Sequence, residues 1–150
     1  MTAKEYLSEI QRLQTIIERK EAHIKDLREM ACSIRAVSYE HGKIKSSSYK
    51  DHVGDIASKI TDFEIEVQHD ISGLLTLKHK IVDQICELKN PVHIQMLFKR
   101  YVEGKKIMDI SEEMCYSEQY TKELHGKALK AFEKQYRDIL KGGEANAAET

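Results

Sequence analysis

PVHIQMLFKRYVEGKKIMDISEEMCYSEQYTKELHGKALKAFEK, residues 91–134, is the stretch on which the reading of the chain turns. Its core-type residues fall in three sets at helical spacing: Ile94, Leu97, Phe98 and Tyr101; Ile107, Ile110 and Met114; then Thr121, Leu124, Ala128, Leu129 and Phe132. Three short helices with tight joins are predicted. A short helix, a turn of a few residues and a longer helix form the arrangement in which one helix braces across a DNA backbone while the next enters the major groove. Ser117 is placed to cap the third helix. Thr121, Leu124, Ala128 and Phe132 would then face inward, and Glu118, Gln119, Lys122, Glu123, Gly126 and Lys130 outward.

Immediately upstream, Asn90 and Pro91 mark a boundary. Asparagine is a good N-cap, proline suits the first helical position, and the residue before proline is steered away from helix. Further back, a 4,3 repeat runs through Tyr6, Ile10, Leu13, Ile17, Ile24, Leu27, Ala31 and Ile34, broken only at Lys20. One narrow seam cannot be buried by its own helix, so a partner helix is required. Val53, Ile56, Ile60, Phe63, Val67, Leu74, Leu77, Ile81 and Leu88 supply a second seam, broken at Asp70 and Gln84. If the two fold back on each other, residues whose numbers sum to about 89 face one another, as the centre of the intervening loop requires. Lys20 then meets Asp70, a pair predicted to fix the register, because an isolated charge in the seam would be costly. A parallel homodimer with Lys20 at its own two-fold is the competing arrangement.

The predicted fold class is therefore all-α: a long antiparallel helical hairpin, or coiled coil, followed by a tri-helical helix-turn-helix module. The hairpin takes residues 1–90, with helices over about 3–36 and 53–88 and a loop over 37–52; the module takes 91–141, and residues 142–150 are expected to be a disordered tail. The 37–52 loop interleaves His41, Lys43, Lys45, Lys50 and His52 with Tyr39 and Tyr49, a composition suited to nucleic acid or to an acidic partner surface, although a solvated hairpin tip, the better reading, has the same one.

Composition excludes several classes of function. The formal net charge is −1 over 150 residues, so any DNA contact must be local. Residues 1–90 carry 14 Lys+Arg against 15 Asp+Glu, and residues 91–141 carry 10 against 8. The C-terminal part is the more basic one. No apolar run approaches the roughly 20 residues needed to cross a bilayer, and the first residues lack the apolar core of a signal peptide, so a cytoplasmic location is expected. Cys32, Cys86 and Cys115 share no ligand spacing and read as reduced thiols, with no metal. No glycine-rich phosphate loop, metal-binding HExxH or carboxylate pair suggests an enzyme, and no cofactor is implied. His125 is expected as a surface or DNA-facing group.

The order RYVEGK, DISEEM, YS, LHGKALKAFEK resembles region four of bacterial sigma factors, through Arg100, Tyr101, Gly104, Asp109, Ile110, Ser111, Ser117, Ala128 and Leu129. The whole chain, a coiled coil followed by this module, is similar to sigma-like transcriptional regulators of phages and prophages, such as late-gene activators of the ArpU/RinA kind. The resemblance implies double-stranded DNA as ligand, with Glu118, Gln119, Lys122 and Glu123 at the groove-reading positions. It also implies host RNA polymerase as a partner in a bacterial cytoplasm, since only the promoter-contacting region is matched. A homodimer through the coiled coil is compatible with it.

Phosphate contacts are expected from Lys105 and Lys106 at the start of the second helix, where cations oppose the helix dipole and a phosphate would meet them together with free N–H groups. Arg100, Lys127 and Lys130 are further candidates. Two positions depart from the sigma pattern: Glu118, where a basic residue is frequent, and Cys115, where glycine is. The alternative function is a coiled-coil structural or protein-interaction module without autonomous DNA binding.

Overall fold

The computed structural model describes residues 1–40 and 46–142, and the described residues are helical throughout apart from short connections. The chain is all-α: α1 (Ala3–Glu40), α2 (Ser46–Cys86), α3 (Pro91–Leu97) continuing into a π-helical segment (Phe98–Val102), α4 (Ile107–Met114), α5 (Glu118–Gln135) and α6 (Arg137–Gly142). Among the described residues, no helix is long and apolar enough to cross a membrane.

Both long helices reach further than the predicted 3–36 and 53–88 hairpin arms on the loop side. Nothing between Val37 and Glu40 breaks a helix, and Gly54 within α2 costs only about 1 kcal/mol. Residues 41–45, and the side chains of the basic and tyrosine residues predicted between 39 and 50, lie outside the described residues, as does the tail predicted over 142–150 except Gly142, which ends α6.

Two compact units divide the chain: Leu13–Gly73, and Met1–Arg12 together with the chain from Leu74 onward. In the first, α1 and α2 run antiparallel. Ile17, Ile24 and Leu27 of α1 are buried, as are Ile56 and Val67 of α2, at the predicted seam positions. The polar seam positions meet: Lys20 Nζ stands 2.6 Å from Asp70 Oδ2 and 3.4 Å from Glu66. Arg28 pairs with Glu64, and the His23 and Phe63 rings meet edge to face at 5.0 Å. All three pairings keep close to the register in which numbers sum to about 89.

The second unit has one core. Ala3, Leu7 and Ile10 from the start of α1 and Ile81, Ile85 and Leu88 from the end of α2 are buried in the same cluster as Met96, Leu97, Tyr101, Ile110, Leu124, Ala128, Phe132 and Leu140. Asn90 caps α3, its side chain accepting from the Val92 N–H at 2.9 Å, so the Asn90–Pro91 break separates helices but not compact units. Polar atoms entering this core are paired. The Tyr6 hydroxyl donates to Gln84 at 2.9 Å, and Tyr136 lies within bonding distance of the Gln84 carbonyl and the Glu87 carboxylate. Burial first, and then Glu87, push the Tyr136 phenol up to about 12.

Candidate nucleic-acid interface

Two backbone devices build the C-terminal helices into a motif. At the end of α3 the backbone widens, with the Glu103 N–H donating to the Phe98 carbonyl, an i to i+5 bond. The segment holds Tyr101 in the core at 2% exposure. The chain then reverses at Gly104, whose φ of +72° an L side chain tolerates poorly. Arg100 closes this turn by donating to the Lys105 carbonyl at 2.8 Å, and its own carbonyl accepts from Gln11 of α1 at 2.8 Å.

The second device is the turn between α4 and α5. Cys115 adopts the left-handed conformation, φ 55° and ψ 40°, and ends α4. Ser117 then caps α5, its hydroxyl accepting from the Tyr120 N–H at 3.2 Å. Cys115 to Ser117 alone separate an eight-residue helix from an 18-residue one. Helix α5 buries Thr121, Leu124, Ala128 and Phe132, the four positions its spacing predicted. Thr121 satisfies its buried hydroxyl on the Ser117 carbonyl at 2.9 Å.

The groove-reading candidates Glu118, Gln119, Lys122 and Glu123 are brought together, all exposed, on the first two turns of α5. Lys122 Nζ lies 2.7 Å from Glu118, an i,i+4 pair. Such an exposed pair is held weakly and can open to a ligand. Tyr116 and Tyr120 flank the same helix start, both exposed, their rings 5.0 Å apart.

Among the phosphate candidates, Lys106 is exposed and sits at the N-cap of α4, where its side chain makes no capping bond. Lys127 and Lys130 are exposed on α5. Arg100 is half-buried and committed to the turn. Lys105 is also engaged, 2.8 Å from Glu103 and 2.7 Å from Glu113, and Glu113 in turn holds Lys99 at 2.6 Å. The candidates thus divide into exposed lysines and cations occupied by the protein itself. Lys99, Glu103 and Glu113 escaped the sequence reading, because helical periodicity carries no information about which side chains meet across two helices.

His125 is not the surface or DNA-facing group expected. It is half-buried, with Nε2 2.9 Å from the Tyr101 hydroxyl and the two rings stacked at 5.7 Å. Burial, and then the positive charges of Arg100 and Lys4, lower its pKa. Position 125 lies four residues after Thr121 and three before Ala128, both buried, so its ring borders the core, where Tyr101 offers a polar partner. Among the described residues no group of histidine, cysteine and carboxylate side chains could hold a metal.

Comparison with protein-family models, with curated proteins and with solved structures finds no match to this chain.

Proposed function

We propose that this chain is a DNA-binding transcriptional regulator, a phage or prophage activator that acts with host RNA polymerase in the bacterial cytoplasm. The observation that carries the reading is the α4–α5 turn. Left-handed Cys115 and capping Ser117 set α5 against α4, so that burial of Thr121, Leu124, Ala128 and Phe132 leaves Glu118, Gln119, Lys122 and Glu123 exposed together at one helix end. A helix presented in this way enters the major groove by its first turns. There Gln119 would pair with adenine through N6 and N7, a carboxylate would accept from cytosine N4, and Lys122, released from Glu118, would reach guanine or phosphate. Lys106, Lys127 and Lys130 supply the backbone contacts that set orientation. The resemblance of residues 91–134 to sigma region four supports the polymerase partner, and because it extends only to the promoter-contacting part it favours an activator over a complete initiation factor.

A specific observation favours a second reading, the protein-interaction module. Lys99, Lys105 and Lys122 are all paired with carboxylates of the same unit, which lowers the attraction for phosphate. Fluorescence anisotropy of labelled duplexes from upstream of the neighbouring operons separates the two. The regulator binds one of them in preference to scrambled duplex, and Gln119→Ala loses about 10-fold or more of that preference, the cost of one bidentate base contact. Equal affinity for every duplex contradicts sequence-specific regulation, and no binding at low salt leaves the second reading.

A further inference from the structure

The lysine pair on the α3–α4 side of the motif is already arranged as an anion site. The Lys105 N–H donates to the Lys99 carbonyl at 3.0 Å, tying the two residues together through the main chain, and Arg100 holds the Lys105 carbonyl from the other side. With both backbones fixed, the two ammonium groups converge on a single carboxylate: Lys99 Nζ is 2.6 Å from Glu113 Oε2, and Lys105 Nζ is 2.7 Å from Glu113 Oε1. Two cations at hydrogen-bond distance from two oxygens of one anion is the geometry that would also suit a phosphodiester. Lys105 precedes α4, where the exposed Lys106 and the helix N-terminus favour negative charge.

We infer that Glu113 is a built-in occupant of a two-lysine phosphate site, and that it restrains DNA binding until a backbone phosphate displaces it. The inference rests on the DNA-binding reading and adds its regulation. Glu103 is a second, weaker restraint that acts on Lys105 alone, at 2.8 Å. The hydrogen bonds from Lys105 and Lys99 hold the Glu113 carboxyl below the usual carboxylate range, so it stays ionised at neutral pH and the site remains filled. The pairs are partly exposed, with Lys99 at 25% and Lys105 at 31%, so exchange of one anion for another does not require the core to open.

The test is anisotropy of the full chain on duplex DNA across a salt series, comparing wild type, Glu113→Gln and Glu112→Gln. Glu112 is exposed on the same helix, and its substitution changes net charge by the same amount without releasing Lys99 or Lys105. Glu113→Gln is expected to bind about 10-fold more tightly than Glu112→Gln at each salt concentration, because the same phosphate no longer has to displace a carboxylate. The gain should vanish when Lys99→Gln and Lys105→Gln are added. Wild type that binds with salt dependence while Glu113→Gln gains no more than Glu112→Gln overturns the restraint and leaves the DNA-binding reading standing. No binding by any of the proteins at low salt overturns both. Circular dichroism establishes that Glu113→Gln is folded; if it is not, Glu103→Gln is read instead, with a smaller gain expected and no gain counting against the inference.

Discussion

Lys20 and Asp70, the two charges that interrupt the apolar seams of α1 and α2, stand 2.6 Å apart, with Glu66 beside them at 3.4 Å. Each is half-buried, so removing one leaves the other poorly solvated in the seam. In a double-mutant cycle, Lys20→Ala and Asp70→Ala should each lower the melting temperature, and the double variant should lie well above the sum of the two losses. The hydrogen bond that Lys20 donates to Asp70 raises the Lys20 pKa against the opposing effect of burial. This coupling is therefore fully present below the unfolded lysine value of about 10.4 and lost as pH rises through the higher folded value. Additive losses would mean that the pair does not set the register.

Helix ends leave their own signature in stability. Cys115 carries φ 55° at the end of α4, a conformation that costs an L residue about 1 kcal/mol and glycine nothing. Cys115→Gly should raise unfolding free energy by up to about 1 kcal/mol, offset in part by the larger entropy of the unfolded glycine. Cys115→Val, branched at Cβ, should lower it. Urea denaturation of the two variants measures both, and the opposite ordering would contradict the turn.

Protonation of His125 should loosen the motif. Its folded pKa is lowered by burial and by Arg100 and Lys4, so the unfolded chain takes up the proton first. Stability from the neutral ring is fully present above the unfolded value of about 6.5 and is lost as pH falls from there through the folded value. Melting temperature should drop between pH 7 and pH 5, and the slope should flatten in His125→Gln. An equal slope in both proteins would place the titrating group elsewhere.

Much of this fold is legible in sequence because heptad spacing and capping are local. The 4,3 repeats place Ile17, Ile24, Leu27, Ile56 and Val67 in the seam, and Lys20 opposite Asp70 follows from loop symmetry alone. Asn90, Gly104 and Ser117 announce helix ends through their own chemistry. Leu7, Ile85 and Met96, all fully buried, fall outside the narrow stripes, because they answer to a core shared with α3, α5 and α6. The π-helical segment that carries Tyr101, and the contact of Tyr101 with His125, leave no periodic trace in the sequence. At the interface, the exposed face of α5 is readable from its buried one, while the occupation of Lys99 and Lys105 by Glu113 is not.

That shared core makes the C-terminal helices dependent on the start of the chain. Leu7 is fully buried in the cluster that includes Phe132 and Ile85, so Leu7→Ala should cost about 2–5 kcal/mol, read by calorimetry as a lower melting transition. A fragment of residues 91–142 loses Leu7, Ile10, Ile81, Ile85 and Leu88 from its core and should unfold without a cooperative transition. A fragment with a sharp transition near that of the full chain would show that the helices need no such support.

Salt dependence of DNA binding tests the proposed function most directly. Counterion release makes the slope of log affinity against log salt a count of phosphates contacted, at about 0.9 each. Lys106, Lys127 and Lys130 are the exposed lysines assigned to phosphates. The full chain should bind duplex DNA at low salt with a clear negative slope, and Lys106→Ala, Lys127→Ala and Lys130→Ala combined should reduce that slope by up to about 2.7, three phosphates at the same value. No binding at low salt, or the same slope in both proteins, would contradict the account.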